Sequence, residues 1–238
     1  MNTVEKIKAL HQLAEGINPT IIYNEGWMIR LLVGESKRIG ITVKNIDFSK
    51  INNWTSEAKI SSPFEGKELK KNKKNETKTQ ADVILGDFRI NYDRNAEIII
   101  ETPSEILGII EAKMGSNLSP GIKNAKNYNQ ASRNICCLAY VTKKSPECKI
   151  FFVIVAPEVR INNPKSKFKE QIGETKKEIK DRFEETGREY TSEMDEKIEN
   201  CEIIIISYEE WINEIEGSDV KKALNKFYDK CIEHNKIK

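Results

Sequence analysis

The stretch Ile106-Leu107-Gly108-Ile109-Ile110-Glu111-Ala112-Lys113 decides how the rest of the chain is read. Its aliphatic and β-branched residues run together over the length of one buried strand, which ends on an acid and a lysine two positions apart. Side chains alternate across a strand, so Glu111 and Lys113 share a face while Ala112 turns to the other. Charges at the end of such a run carry a desolvation cost that pairing or a bound cation offsets. The tripeptide Glu-x-Lys means little by itself, because it occurs nine times in the chain. The other copies lie in polar loops, in charged helices or at the polar entrance to a strand, and only Glu111 follows a buried-type run. By spacing alone the pair reads equally well as a strand-end ion pair or as part of a metal site.

Upstream, Ala81-Asp82-Val83-Ile84-Leu85 reads as a neighbouring strand with Asp82 near its start, a second carboxylate within reach of the first. Asp87, just beyond it, is the rival for that role. Glu97 to Ile100, Lys149 to Val155 and Glu202 to Ile206 read as further strands, with an extra hairpin around Arg89 to Glu101. Val4, Ile7, Leu10 and Leu13 recur at helical spacing before Gly16 and predict an amphipathic first helix over the first 16 residues. A second helix is expected from near Asn18-Pro19, carrying Ile21, Ile22, Trp27, Ile29, Leu31, Leu32 and, among them, Glu25. The segment from about Ser119 to Cys137 is helical in character, with Ser116 and Ser119 as candidate caps and Pro120 in its first turn. Phe168, Ile172, Ile179 and Phe183 make a narrow apolar stripe that predicts an exposed amphipathic helix over 166–186, a surface suited to joining subunits. A helix around Trp211 and a last one to about Cys231 close the chain.

Helix, strands, helix, strand is the order of an α/β fold with a mixed central sheet flanked by helices. Residues 1–160 are expected to form its core, and 161–238 a C-terminal extension of helices and a strand packed on the same domain.

Composition narrows the chemistry. With 38% hydrophobic and 32% charged residues the chain is polar but well inside the range of folded proteins. The net charge is only +2, so affinity for a polyanion has to come from a local patch. The lysine-rich segment 65–80 is the obvious one, read as a mobile loop or hairpin tip able to clamp DNA phosphates. The five cysteines show no metal-type spacing and read as buried thiols. The longest apolar run, Phe151 to Ala156, is too short to cross a bilayer, and no signal-peptide layout opens the chain, so a cytoplasmic protein without membrane contact is expected. Phosphate-loop, dinucleotide and nucleophile-elbow motifs do not occur. The two histidines, His11 and His234, lie away from any predicted strand end, which argues against Ser-His or Cys-His catalysis. Carboxylates and lysines remain, and two acids with one lysine suffice for metal-assisted phosphodiester hydrolysis.

Ala81-Asp82-Val83-Ile84-Leu85, then an apolar strand into Glu111-Ala112-Lys113, then a helix carrying Gln130, resembles the PD-(D/E)XK nuclease superfamily over about residues 20–156. The resemblance implies a restriction-endonuclease-like core in the order αβββαβ and a Mg²⁺- or Mn²⁺-dependent endonuclease of restriction or defence type acting on double-stranded DNA, possible as a homodimer. It implies Asp82, Glu111 and the Ala112 backbone carbonyl as metal ligands and Lys113 as the water-activating residue, with Glu25 from the first core helix and Gln130 as further site residues. Ala81 stands where that pattern usually has proline, and the 29-residue step from Asp82 to Glu111 is long because of the extra hairpin. Gln130 shares one helical face with Lys123, Lys126 or Asn127, and Arg133 or Asn134, a stripe able to follow a phosphate backbone. The same fold also serves a catalytically inactive DNA-binding or partner-binding module.

Overall fold

The computed structural model describes residues 1–94, 96–101 and 103–237. In chain order it contains α1 (Thr3–Ala14), a 3-10 turn (Pro19–Ile21), α2 (Glu25–Ile39), β1 (Thr42–Val43), β2 (Ile46–Asp47), β3 (Asn53–Ile60), α3 (Lys67–Lys71), β4 (Thr79–Gly86) and β5 (Phe88–Asn91). A second 3-10 turn (Tyr92–Arg94) leads to β6 (Glu97–Ile100), β7 (Ile106–Ala112), α4 (Gln130–Thr142), β8 (Lys149–Ala156), α5 (Glu158–Ile161) and α6 (Phe168–Gly173). The chain ends with α7 (Thr175–Thr186), α8 (Ser192–Glu199), β9 (Glu202–Ser207), α9 (Tyr208–Glu214) and α10 (Ser218–His234).

Among the described residues, seven strands form one mixed sheet in the order β5-β6-β3-β4-β7-β8-β9, and β1 with β2 makes a separate ribbon. β3, β4 and β7 are an antiparallel meander, to which β8 and β9 add in parallel. A parallel neighbour needs a long crossover, and α4 provides it between β7 and β8. Helices cover both faces of the sheet, so its central strands need apolar residues at every position and not at every second one. In β8, Phe151, Val153 and Val155 enter the core shared with α1, α2, α9 and α10, while Ile150, Phe152 and Ile154 enter the core under α4, α6, α7 and α8. Burial of each such side chain is worth about 1.5–3 kcal/mol, which is why this short run anchors the fold. Gly108 lies where β7 passes the Phe151 ring, and a Cβ there would stand 2.1 Å from it.

Several expectations are revised by packing. The second helix starts at Glu25, not near Asn18, because Asn24 takes the cap and accepts the Trp27 amide, leaving Pro19–Ile21 as a separate turn. The helix expected over 119–137 begins only at Gln130, with Asn129 as its cap, and extends through Leu138 to Thr142. Ser119 instead donates its hydroxyl to the Gly121 carbonyl. The stripe at 166–186 is split between α6 and α7, and Phe168, Ile179 and Phe183 are buried in this chain's own core. That removes the apolar surface on which subunit joining rested. Leu13, expected on the buried face of α1, is exposed, and Ala14 is buried in its place.

The lysine-rich segment is not a solvated tip either. Leu69 and Glu76 are buried, Arg182 of α7 pairs with Glu76 at 3.1 Å and donates to the Lys74 carbonyl, and Lys74 donates to the Glu185 carbonyl at 2.6 Å. The C-terminal residues complete the same sheet: β9 pairs with β8 from Phe151–Glu202 to Ala156–Ser207. No helix among the described residues is long and apolar enough to cross a membrane.

Candidate functional site

The ladder between β4 and β7 pairs Val83 with Ile110 and goes no further toward the start of β4. The ladder between β3 and β4 skips one step at the same level: Ser56–Val83 and Ala58–Ala81 pair, and Glu57 opposite Asp82 does not. Glu57 sits in the left-handed region at φ 58°, a conformation a side chain adopts in mid-strand only when its surroundings enforce it. Arg30 of α2 and Gln80 of β4 hold its two carboxylate oxygens at 3.3 and 2.7 Å. The irregularity has a packing consequence. Val83 and Leu85 enter one core and Ala81 the other, and the strands separate at Asp82.

Asp82 spans the fork so formed. Its Oδ2 accepts the Ala112 N–H at 2.8 Å, replacing the ladder bond that the separated strands no longer make. On the far side of β7 the Lys113 N–H donates to the Val155 carbonyl at 2.8 Å. A trans peptide holds its C=O opposite its N–H, so the Ala112 carbonyl points away from β8, toward Asp82.

Glu111 is fully buried, with its side chain on the α4 face of the sheet. Three donors reach it: Gln130 Nε2 at 2.7 Å and Lys113 Nζ at 3.3 Å, both on Oε2, and Asn134 Nδ2 at 2.7 Å on Oε1. Gln130 and Asn134 are one helical turn apart in α4, so the same face of the helix delivers both. The Ser119 N–H donates to Gln130 Oε1 at 3.2 Å, which fixes which end of that amide faces Glu111. Burial, and then the Asp82 charge beside it, pushes the Glu111 carboxyl up to about 8 against the pull of Lys113 and Asn134. The Glu111 carboxyl therefore keeps its proton through neutral pH, and the Asp82 charge is matched by the Lys113 ammonium.

Asp82, Glu111, Lys113, Gln130 and the Ala112 peptide are therefore brought together. Asp87 is not part of this group. It lies at the other end of β4, where Oδ1 accepts from Asn52 at 2.6 Å and Oδ2 from the Glu105 N–H at 2.7 Å and the Ile106 N–H at 3.2 Å, holding the turn into β7. Glu25 opens α2 on the opposite face of the sheet, and its charge, after burial, pushes the Tyr208 phenol and the Cys231 thiol up. The Asp82 charge also raises the Tyr208 phenol, so Glu25 and Asp82 both act on that one buried hydroxyl, while among the described residues no three His, Cys, Asp or Glu side chains gather into a cluster.

Two participants escape a sequence reading. Asn134 stood in the sequence within a stripe able to follow a phosphate backbone, but it is fully buried and serves Glu111. Tyr208, the first residue of α9, is fully buried with an unpartnered hydroxyl on which the charges of Glu25 and Asp82 both act. Nothing in the local pattern distinguishes either, because both acquire their role from elements distant in sequence.

The oxygen donors suit a hard divalent cation. The two carboxylates and the carbonyl of Ala112 lie about the fork, and a bound cation would favour the ionised form of Glu111 that burial and the Asp82 charge oppose. Compared with protein-family models, with curated proteins and with solved structures, the chain matches none.

Proposed function

We propose that this chain is a Mg²⁺- or Mn²⁺-dependent nuclease of the PD-(D/E)XK type, with the restriction-endonuclease-like core, that hydrolyses phosphodiester bonds of double-stranded DNA. One observation carries the reading: Asp82, Glu111, Lys113 and Gln130, spread over the sequence, meet at one strand fork, where burial and the Asp82 charge hold the Glu111 carboxyl well above its ordinary range. The order α2, β3, β4, β7, α4, β8, with β8 parallel to β7, supports it as the helix, three-strand, helix, strand core of that superfamily.

Asp82, Glu111 and the Ala112 carbonyl would hold the cation, which when bound supplies Lewis-acid activation of the phosphoryl group and of water. Lys113, 3.3 Å from Glu111, would orient the attacking water and offset charge building on the phosphate. Gln130 keeps Glu111 in place through an amide whose own orientation Ser119 determines. A single such centre per chain would cut both strands as a homodimer.

Incubation of supercoiled plasmid with the protein and Mg²⁺ or Mn²⁺ tests the reading. Nicking or linearisation is expected, and Lys113→Ala should lower the rate by about 10²–10⁴-fold. Absence of cleavage on both methylated and unmethylated plasmid, or equal rates for Lys113→Ala and the unchanged protein, refutes it. A second reading, a catalytically silent DNA-binding or partner-binding module on the same fold, draws on the full burial of Glu111 and its three donors. It predicts DNA retention without turnover and no change in melting temperature on adding either metal.

A further inference from the structure

Beside the acid pair, a second feature of α4 has no structural work of its own. Arg133 follows Gln130 by three residues, just under one turn of the helix, and lines a pocket of about 350 Å³. The pocket is closed by the approach to β4, from Asn75 to Gln80, and by the loop carrying Lys123 and Asn124. Among the described residues Arg133 makes no ion pair, and its Nε is buried without a hydrogen-bond partner. A guanidinium is always charged, and an unpartnered buried N–H costs free energy unless something accepts from it.

The other charges in the pocket are already committed. Glu76 is bound by Arg182 at 3.1 Å and by the Ser62 hydroxyl at 3.1 Å, and Lys78 is paired with Glu97. Lys123 is exposed and makes no ion pair among those described. Arg133, whose charge also acts on the Glu76 carboxyl, and Lys123 are thus two cations without an ion pair among the described residues across one pocket, with the Asn124 side chain held at its rim by the Asn75 carbonyl at 3.0 Å. An acceptor with several oxygens and negative charge would satisfy both, which is the chemistry of a phosphate group.

We infer that this pocket is a phosphate-binding site. The source that fits it is the backbone of a nucleic acid strand passing the fork, because Gln80, in its wall, is two strand positions from Asp82, a rise of about 6.6 Å. That source rests on the nuclease reading, whereas the phosphate chemistry does not. The contact is to the backbone, so it adds affinity without sequence preference.

Fluorescence anisotropy with a labelled DNA duplex, in a Lys113→Ala background so that binding is read without cutting, tests the site. Arg133→Gln and Lys123→Gln should each weaken binding severalfold or more on duplexes of unrelated sequence and reduce the slope of log K against log salt by about one. Lys8→Gln, which removes an exposed charge on α1, is the control and should leave both unchanged. Lys123 is exposed, so its variant answers even if Arg133→Gln impairs folding, which circular dichroism would reveal.

Unchanged affinity and slope in both pocket variants, or no retention of DNA by the parent protein at low salt, overturns the nucleic acid assignment. Titration with pyrophosphate separates the sources: binding that disappears in Arg133→Gln while DNA affinity stays unchanged identifies a site for free phosphate and excludes the backbone. Plasmid cleavage by the unchanged protein together with unaltered DNA binding by the pocket variants refutes this site alone. Weakened DNA binding in those variants with no cleavage by the unchanged protein leaves the site standing and refutes the nuclease.

Discussion

The Asp82 carboxylate accepts the Ala112 N–H at 2.8 Å at the level where β4 and β7 stop pairing. One side chain thus closes a gap in the sheet and faces Glu111 across it. These roles can be separated, because the hydrogen bond needs an oxygen and the electrostatics needs a charge. Asp82→Asn keeps an acceptor for Ala112 and removes the charge. Its melting temperature should stay close to that of the unchanged protein, while plasmid cleavage in Mg²⁺ falls more than about 100-fold, beyond the usual effect of losing a supporting contact. A variant that unfolds would show that the fold itself, and not only the chemistry, needs the Asp82 charge.

Stability should depend on pH through Glu111. Its carboxyl titrates higher in the folded chain than in the unfolded one, so between those values the folded state holds a proton that the unfolded state has released. The protein without metal should therefore be most stable near the ordinary carboxylate range and lose stability as pH rises toward about 8, where the loss levels off. Glu111→Gln should flatten this part of the profile. Since a cation favours the ionised pair, the rise in melting temperature on adding Mg²⁺ should be larger at pH 8 than at pH 6. Equal shifts at the two pH values would contradict a cation between Asp82 and Glu111.

Asn134 should matter for stability as much as for activity. Asn134→Ala takes away the donor on Glu111 Oε1 at a fully buried position, a loss of about 1–3 kcal/mol. For a chain of this size the melting temperature falls by about 2–4 °C per kcal/mol. Thermal unfolding followed by circular dichroism checks it, and a change within a degree would mean that Glu111 finds another donor.

Arg182 and Glu76 form a buried ion pair that fastens the lysine-rich segment to α7. Arg182→Met strands the Glu76 carboxylate, at a cost of about 3–5 kcal/mol. Burial already pushes the Glu76 carboxyl up, so protonation can relieve the variant. Its deficit should be smaller at pH 5 than at pH 8, and adding Glu76→Gln should recover most of it. A deficit independent of pH would show that lost packing around the guanidinium, not the stranded charge, is responsible.

The strands at Ala81 to Leu85, Glu97 to Ile100, Lys149 to Val155 and Glu202 to Ile206 could be read from one residue to the next, and β3 at Asn53–Ile60 could not. β3 mixes polar and apolar residues because only its last part is buried, so it lacks the run that marks the others. The lysine-rich segment and the stripe at 166–186 misled for a related reason: each was judged without the other, and they pack together through Arg182, Lys74 and Glu76.

What the sequence determined by itself was local. A buried-type strand at Ile106–Ala112 must carry Glu111 and Lys113 on one face, because the alternation belongs to the backbone and depends on no neighbour. Tertiary structure alone decided that Asp82 and not Asp87 stands beside Glu111, that Asn134 turns inward and that Glu25 and Asp82 both act on the buried Tyr208 phenol. Those outcomes depend on which elements share a core and on where a ladder breaks, and both arise from contacts between residues tens of positions apart. The raised Glu111 carboxyl is likewise a property of the folded chain, since burial and the nearness of Asp82 both arise only when the strands pack.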